Sequence, residues 1–161
     1  MTESKFERGL ILYFRLAMGW TFLYAACHQL ADPAWSVVGF LGNTKTFHDI
    51  LVIFAAPALA PYTTFLVEYG HLLIGLSLIF GLLTRISASF GFLLMIVYWM
   101  AHMDFPYVET KLNFLLDYHL VYAGVLSYLI LKHAGHVFGL DGLLRRQAFF
   151  SNHPGLKPLV A

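Results

Sequence analysis

The chain has 161 residues, of which 59% are hydrophobic, 17% aromatic and only 12% charged. Soluble domains carry about 25% charged residues, so half that value, together with long apolar runs, indicates an integral membrane protein. The formal net charge of +1 gives no support for nucleic-acid binding, and the single cysteine, Cys27, excludes an intrachain disulfide and every multi-cysteine metal site.

Four apolar segments are predicted to cross the membrane within one domain that covers residues 1–161. A spanning helix needs about 20 apolar residues, which places the spans at residues 9–30, 62–83, 86–103 and 114–131. These spans should be helical because lipid offers the backbone no hydrogen-bond partners outside a helix or a closed barrel. The predicted fold class is therefore all-α: a transmembrane four-helix bundle with a long outer segment between helices 1 and 2. Four glycines are predicted close-packing positions: Gly75, Gly81, Gly91 and Gly124.

The distribution of lysine and arginine predicts the direction of the spans, because these residues accumulate on the cytoplasmic side. With four spans, only Lys45 and Lys111 lie on the side away from the termini. Arg15 lies within the first span, and the remaining seven share the side of the termini: Lys5, Arg8, Arg85, Lys132, Arg145, Arg146 and Lys157. Both termini are therefore predicted to be cytoplasmic, in a multi-pass protein of the cell (inner or cytoplasmic) membrane. The outer segment 31–61 is apolar enough to lie in the interface or to re-enter the bilayer.

Titratable side chains gather near the predicted outer ends of the spans, within about 10 Å of those ends at 1.5 Å rise per residue. They are His28, Glu68, His71, Tyr98, His102, Asp117 and His119. Glu68 and His71 share a helix face and are expected to form a direct hydrogen bond. Asp117 and His119 would point in nearly opposite directions on a helix, so at most one of them is expected to face the bundle axis. Ionisable residues within a membrane are costly and indicate a functional site.

Three stretches resemble the DoxX/DoxD family of four-span membrane proteins: "YFRLAMGWTFLYAACHQL", "VEYGHLLIGLSLIFGLLTRISA" and "DYHLVYAGVLSYLILKHAGHVFGLDGLL". The tail "GHVFGLD" is most similar to the DoxD-like branch. That branch is associated with thiosulfate:quinone oxidoreductase, which couples two thiosulfates into tetrathionate and reduces membrane quinone. The resemblance makes Arg15, Glu68, Arg85 and Asp141 the matching motif positions, and Arg85 and Asp141 are expected to pair at the inner end of the bundle.

The first interpretation is a quinone-linked oxidoreductase, or a subunit of one, that oxidises thiosulfate or another reduced sulfur compound at the outer face. Four residues are the predicted catalytic groups, as proton donors and acceptors at the quinone carbonyls: Glu68, His71, Asp117 and His119. Four others are predicted to bind the cofactor: Arg15, His28, Tyr98 and His102. Because the outward loops are small, a separate outer subunit or a second copy of the chain is expected to complete the site.

Two alternatives stay open. The first is an electron-transfer protein with b-type haem, because the histidines of the four spans offer several cross-bundle pairs of axial ligands. A di-iron site is not expected, since such sites need two Glu-x-x-His motifs and the chain has one, at Glu68 and His71; no metal site is predicted. The second alternative is a non-enzymatic membrane assembly or anchor subunit, in which these two residues could be replaced by apolar ones without loss of function.

Overall fold

The computed structural model describes residues 4–105, 114–147, 150 and 152–160. Within these ranges all regular elements are helices, which confirms the predicted fold class. They are α1 (Lys5–Ala31), α2 (Val37–Gly42), α3 (His48–Leu51), α4 (Ala60–Phe80), α5 (Thr84–His102), α6 (Tyr118–Leu131) and α7 (Leu140–Leu144). Short 3-10 helices occupy Val52–Ala55, Ala134–His136 and Pro154–Val160.

Three of the described helices, α1, α4 and α5, are long and apolar enough to cross a membrane. The fourth apolar helix, α6, has 14 residues and is therefore about 21 Å long, shorter than a hydrocarbon core of about 30 Å. It begins at Tyr118, later than the predicted start of the fourth span at residue 114. The reason is local: Leu115 has a left-handed backbone with φ 58°, and Asp117 is extended and caps the helix.

The ends of the long helices follow from local chemistry. The hydroxyl of Ser4 accepts the backbone amide of Glu7 at 3.1 Å and so caps α1. Pro61 lies in the first turn of α4, where its missing N–H costs nothing. Gly81 ends α4 in the left-handed conformation with φ 66°, which only glycine adopts without strain.

Glycine brings α1 and α4 into close contact. A Cβ atom at Gly75 would lie 2.6 Å from the backbone nitrogen of Leu23, and one at Gly19 would lie 2.8 Å from Cγ1 of Ile79. Gly91 packs against the ring of Phe22. The predicted close-packing role is therefore confirmed for Gly75 and Gly91. It is wrong for Gly124, where a Cβ would meet no atom within 4 Å, because this side of α6 faces outward.

Side chains from α1, α4, α5 and α6 fill the space between these helices. The buried core includes Ile11, Phe22, Leu78, Met95 and Leu126. In lipid such contacts stabilise the bundle mainly through van der Waals packing, since the surrounding hydrocarbon is as apolar as the core.

The two ends of the bundle are distinguished by the helix ends that meet there. The linker end is where α1 ends and α4 begins, and the tail end is where α1 begins and α7 lies.

The segment between α1 and α4, residues 32–59, packs across the linker end. Its side chains Val37, Leu41 and Leu51 form a small buried cluster with Ala101 of α5. Thr46 ties the segment to the end of α5: its amide donates to the carbonyl of Met103 at 3.1 Å, and its hydroxyl accepts the amide of Phe105 at 2.9 Å. The segment therefore forms a cover over the ends of the helices.

Candidate functional site

Polar and aromatic side chains from four helices meet beneath this cover. The polar cluster consists of Gln29 of α1, His71 of α4, Tyr98 and His102 of α5, Asp117 at the start of α6, and His119 of α6. The sequence predicted such a group near the ends of the spans. The structure determines which side chains belong to it.

His71 is the most enclosed titratable group of α4, with 3% of its surface exposed. Its Nδ1 lies 2.9 Å from Oε1 of Gln29, and its Nε2 lies 3.2 Å from the hydroxyl of Tyr98. A carboxamide oxygen only accepts hydrogen bonds, so Nδ1–H is the donor to Gln29. In the neutral imidazole Nε2 then accepts the hydroxyl proton of Tyr98.

Asp117 and His119 form a second buried pair. Oδ1 of Asp117 accepts both the backbone amide and Nδ1–H of His119, each at 2.6 Å. Both residues are more than nine-tenths buried, so the prediction that at most one of them faces the interior is wrong. It assumed that both residues are helical, whereas Asp117 is the extended residue that precedes the helix.

Ring contacts join the two pairs. The ring of His119 lies 5.8 Å from that of Tyr98 and stacks on that of His102 at 5.2 Å between centroids. Phe40 of α2 covers both α5 residues, at 5.5 Å from Tyr98 and 5.1 Å from His102. His102 itself is exposed. The cluster therefore runs from a buried imidazole at His71 to an accessible one at His102.

Two predicted site residues stand apart from the cluster. His28 is exposed and contacts the ring of Tyr24 at 4.5 Å. Glu68 is half-buried and has no hydrogen-bond partner among the described residues. The expected direct bond between Glu68 and His71 is not formed, because both ring nitrogens of the histidine bond to other residues.

Gln29 is the member of the cluster that the sequence reasoning missed. It follows His28 directly, and a helix turns by about 100° per residue, so only one of the two can face the bundle interior. The available signal was an uncharged amide at the end of an apolar span.

Arg15 belongs to a different site, at the tail end. It is 1% exposed, and its Nη1 donates to the carbonyls of Ala134 and Val137 at 2.8 and 2.7 Å, while Nη2 donates to that of Phe138 at 3.1 Å. Fourteen residues of helix separate it from Gln29, or about 21 Å. The prediction that Arg15 binds a cofactor together with the histidines therefore does not fit its position.

Asp141 completes this tail-end site and does not pair with Arg85. Its two carboxylate oxygens accept the backbone amides of Leu83 and Thr84 at 2.7 and 2.9 Å, at the start of α5. Its own amide donates to the carbonyl of Gly81 at 2.8 Å. Arg85 is exposed. Since Asp141 is fully buried, the expected Arg85–Asp141 pair is wrong, and the carboxylate instead caps α5 and attracts the charge of Arg15.

An apolar groove of about 760 Å³ lies between α4 and α5 on the outside of the bundle. Its lining includes Leu66, Gly70, Leu73, Phe80, Leu93 and Val97. Gly70 leaves its part of the wall open, because a Cβ there would meet no atom within 4 Å. Gly70 and Val97 are the chain neighbours of His71 and Tyr98, so the groove reaches the level of the polar cluster.

The haem alternative stays a prediction, but its preferred ligands are engaged in this structure. His71 uses both ring nitrogens for hydrogen bonds, and an axial ligand needs one of them for iron. His102 and His119 stack face to face, with 20° between their planes, so these two rings do not lie on opposite sides of a porphyrin-sized gap. Among the described residues no group of three or more His, Cys, Asp or Glu side chains is arranged to hold a metal ion.

Comparison with known proteins identifies a family. A model of the DoxX family matches residues 10–103, which is more than half of the chain. The match ends before the tail "GHVFGLD", so assignment to the DoxD-like branch stays a prediction. No curated protein and no solved structure matched the chain.

Proposed function

The chain belongs to the DoxX family of membrane proteins, and on that premise we propose that it acts as a quinone-linked membrane oxidoreductase or as the quinone-binding subunit of one. The observation that carries the proposal is the hydrogen bond between Tyr98 and the buried His71, whose chain neighbours Val97 and Gly70 line the outward-facing apolar groove. A quinone needs an apolar path from the bilayer and a proton donor near its carbonyl oxygens. The groove and this pair supply the two requirements next to each other.

The quinone is proposed to enter through the α4–α5 groove. Its lining is almost entirely apolar and several of its side chains, including Leu66, Leu73 and Leu93, are exposed on the outside of the bundle. An isoprenoid tail can therefore remain in contact with lipid while the ring passes the bare backbone at Gly70. The ring would then approach the hydroxyl of Tyr98 from the side opposite to the bundle core.

Reduction of the quinone consumes two electrons and two protons. We place the first proton on Tyr98, whose hydroxyl can donate to a quinone oxygen, and we assign His71 the role of returning a proton to the phenol. Histidine suits this role because an imidazole can accept a proton at one ring nitrogen while the other stays bonded to its partner. Asp117 and His119 lie on the far side of Tyr98, where they can pass further protons from the exposed His102. Glu68 stays a candidate proton donor that acts without a direct bond to His71.

The electron donor is proposed to be a reduced sulfur compound such as thiosulfate, on the resemblance of the tail to the DoxD-like branch. Two thiosulfate ions each lose one electron and form the central S–S bond of tetrathionate. The quinone takes both electrons and two protons to become quinol. A small outer subunit or a second copy of the chain is proposed to hold the anions beside the cover formed by residues 32–59.

Binding of quinone can be tested without knowledge of the donor. The indole of Trp99 donates to the carbonyl of Leu115 at 3.1 Å, next to Tyr98, and Trp20 and Trp35 are the only other tryptophans. With those two replaced by Phe, a short-chain quinone should quench the fluorescence of Trp99 in a saturable manner. Absence of saturable quenching would contradict the proposal and favour a non-enzymatic assembly or anchor role.

Turnover is the second part of the test. In reconstituted protein, Tyr98→Phe should lower thiosulfate-dependent quinone reduction about a hundredfold, the size of a general-acid contribution. The matched control is Tyr128→Phe, a half-buried tyrosine of α6 that packs on Phe14. Equal rates in both variants would remove Tyr98 from the mechanism. An equal loss of folded protein and of rate would indicate a structural role.

A further inference from the structure

We propose that Gln29 is a positioning residue that holds His71 in the Nδ1–H tautomer and thereby fixes the direction of proton transfer between His71 and Tyr98. The expected effect of Gln29 on turnover rests on the proposed function. The expected effect of Gln29 on the tautomer of His71 does not, so the two effects can be measured separately.

Side chains from three different helices meet at the imidazole of His71. Gln29 comes from α1, His71 from α4 and Tyr98 from α5, and they form one hydrogen-bonded line through the imidazole. The ring of Phe22 of α1 lies beside the imidazole, with 5.7 Å between ring centroids and 39° between the ring planes. The ring is 3% exposed, so water does not compete freely for its two nitrogens.

The amide of Gln29 determines which ring nitrogen of His71 carries the proton. The carbonyl oxygen of Gln29 faces Nδ1, so that nitrogen carries the proton and Nε2 presents its lone pair to Tyr98. When a proton that enters at His102 reaches Tyr98, the hydroxyl can pass its own proton to Nε2, and Nδ1–H of the doubly protonated His71 keeps the same bond to Gln29. Nε2–H then donates to the phenol oxygen, which frees the hydroxyl proton of Tyr98 for a quinone oxygen. The carbonyl of Gln29 thus supports both protonation states without a change of geometry.

The two buried histidines of the polar cluster differ in the group that accepts the hydrogen bond from Nδ1. His119 also has its Nδ1 fixed, but by the carboxylate of Asp117. A carboxylate stabilises the charged imidazolium and so discourages release of its proton. Gln29 orients His71 without adding a negative charge. This difference leaves His71 without a carboxylate partner that would hold its proton, so it can give that proton back to Tyr98.

The tautomer is measured directly by ¹⁵N NMR on protein labelled only at its histidines, with the His71 signals assigned by their absence in His71→Asn. The wild-type protein should show the proton of His71 on Nδ1. Gln29→Leu should shift the proton to Nε2 or give a mixture, whereas the control Tyr98→Phe should keep it on Nδ1. A wild-type proton on Nε2, or an unchanged tautomer in Gln29→Leu, would overturn the inference.

The kinetic readout separates positioning from packing. Gln29→Leu should lower kcat for quinone reduction about tenfold at an unchanged KM for quinone, which corresponds to about 1.4 kcal/mol. Gln29→Glu should keep the Nδ1–H bond but slow turnover, because a carboxylate would hold the imidazolium. Wild-type kcat in Gln29→Leu would contradict the inference. If the tautomers behave as expected while the wild type neither binds nor reduces quinone, the proposed function fails and the positioning of His71 stands.

Discussion

The hydroxyl of Tyr98 lies 3.2 Å from Nε2 of His71, although 27 positions separate the two residues in the chain. This bond joins α4 and α5 at the linker end, where the outer surfaces of the same two helices are separated by the apolar groove. The lining of the groove is almost entirely apolar, and two of its residues, Gly70 and Val97, directly precede His71 and Tyr98 in the chain.

Gly70→Leu should raise the KM for quinone about tenfold, equivalent to about 1.4 kcal/mol of binding free energy, and leave kcat unchanged. The added side chain would fill the open part of the groove, since no atom lies within 4 Å of its Cβ position. The matched control is Gly124→Leu on α6, where the space is equally open. Steady-state kinetics of both variants with one short-chain quinone would decide the matter. Equal KM values would exclude the groove as the route.

Asp117→Ala should lower the free energy of unfolding by about 1 kcal/mol or more, because α6 loses its N-cap. Asp117→Asn should lose less, since asparagine caps helices about as well as aspartate. Thermal denaturation in detergent would compare the two variants. If the asparagine variant were as unstable as the alanine variant, the negative charge of Asp117 would matter more than its capping hydrogen bond.

Asp141→Ala should destabilise the bundle by about 3–5 kcal/mol, the usual effect of leaving a buried charge without its partner. The change would free the backbone amides of Leu83 and Thr84 and remove the negative charge that Arg15 attracts. Arg85→Ala should change the stability by less than about 0.5 kcal/mol, because that side chain is exposed. If Arg85→Ala and Asp141→Ala lowered the stability by comparable amounts, the stability would depend on an Arg85–Asp141 pair, which the structure lacks.

The predicted orientation can be tested by cysteine labelling in a Cys27→Ser background. Lys45→Cys lies in the cover at the linker end and should react with a membrane-impermeant maleimide added to intact cells. Arg146→Cys follows α7 at the tail end and should react only after the membrane is opened. Both original side chains are exposed, so access within the protein does not limit either reaction. The reverse labelling pattern would refute cytoplasmic termini.

The sequence by itself determined that the protein is an all-helical membrane protein with polar groups near the ends of its helices. Hydrophobicity and helix length are properties of neighbouring residues, so they can be measured along the chain without knowledge of the fold. The family resemblance also followed from short local stretches.

The tertiary structure decided which of the polar groups meet. His28 and Gln29 are adjacent in the chain, and only the rotation of α1 against α4 determines that Gln29 reaches His71. The non-helical backbone of Asp117 brings it to the same side as His119. Arg15 finds its carbonyl partners 119 or more positions away, in the segment after α6. These contacts depend on the packing of whole helices, because a side chain can bond across the bundle only when both helices present the correct face at the correct depth.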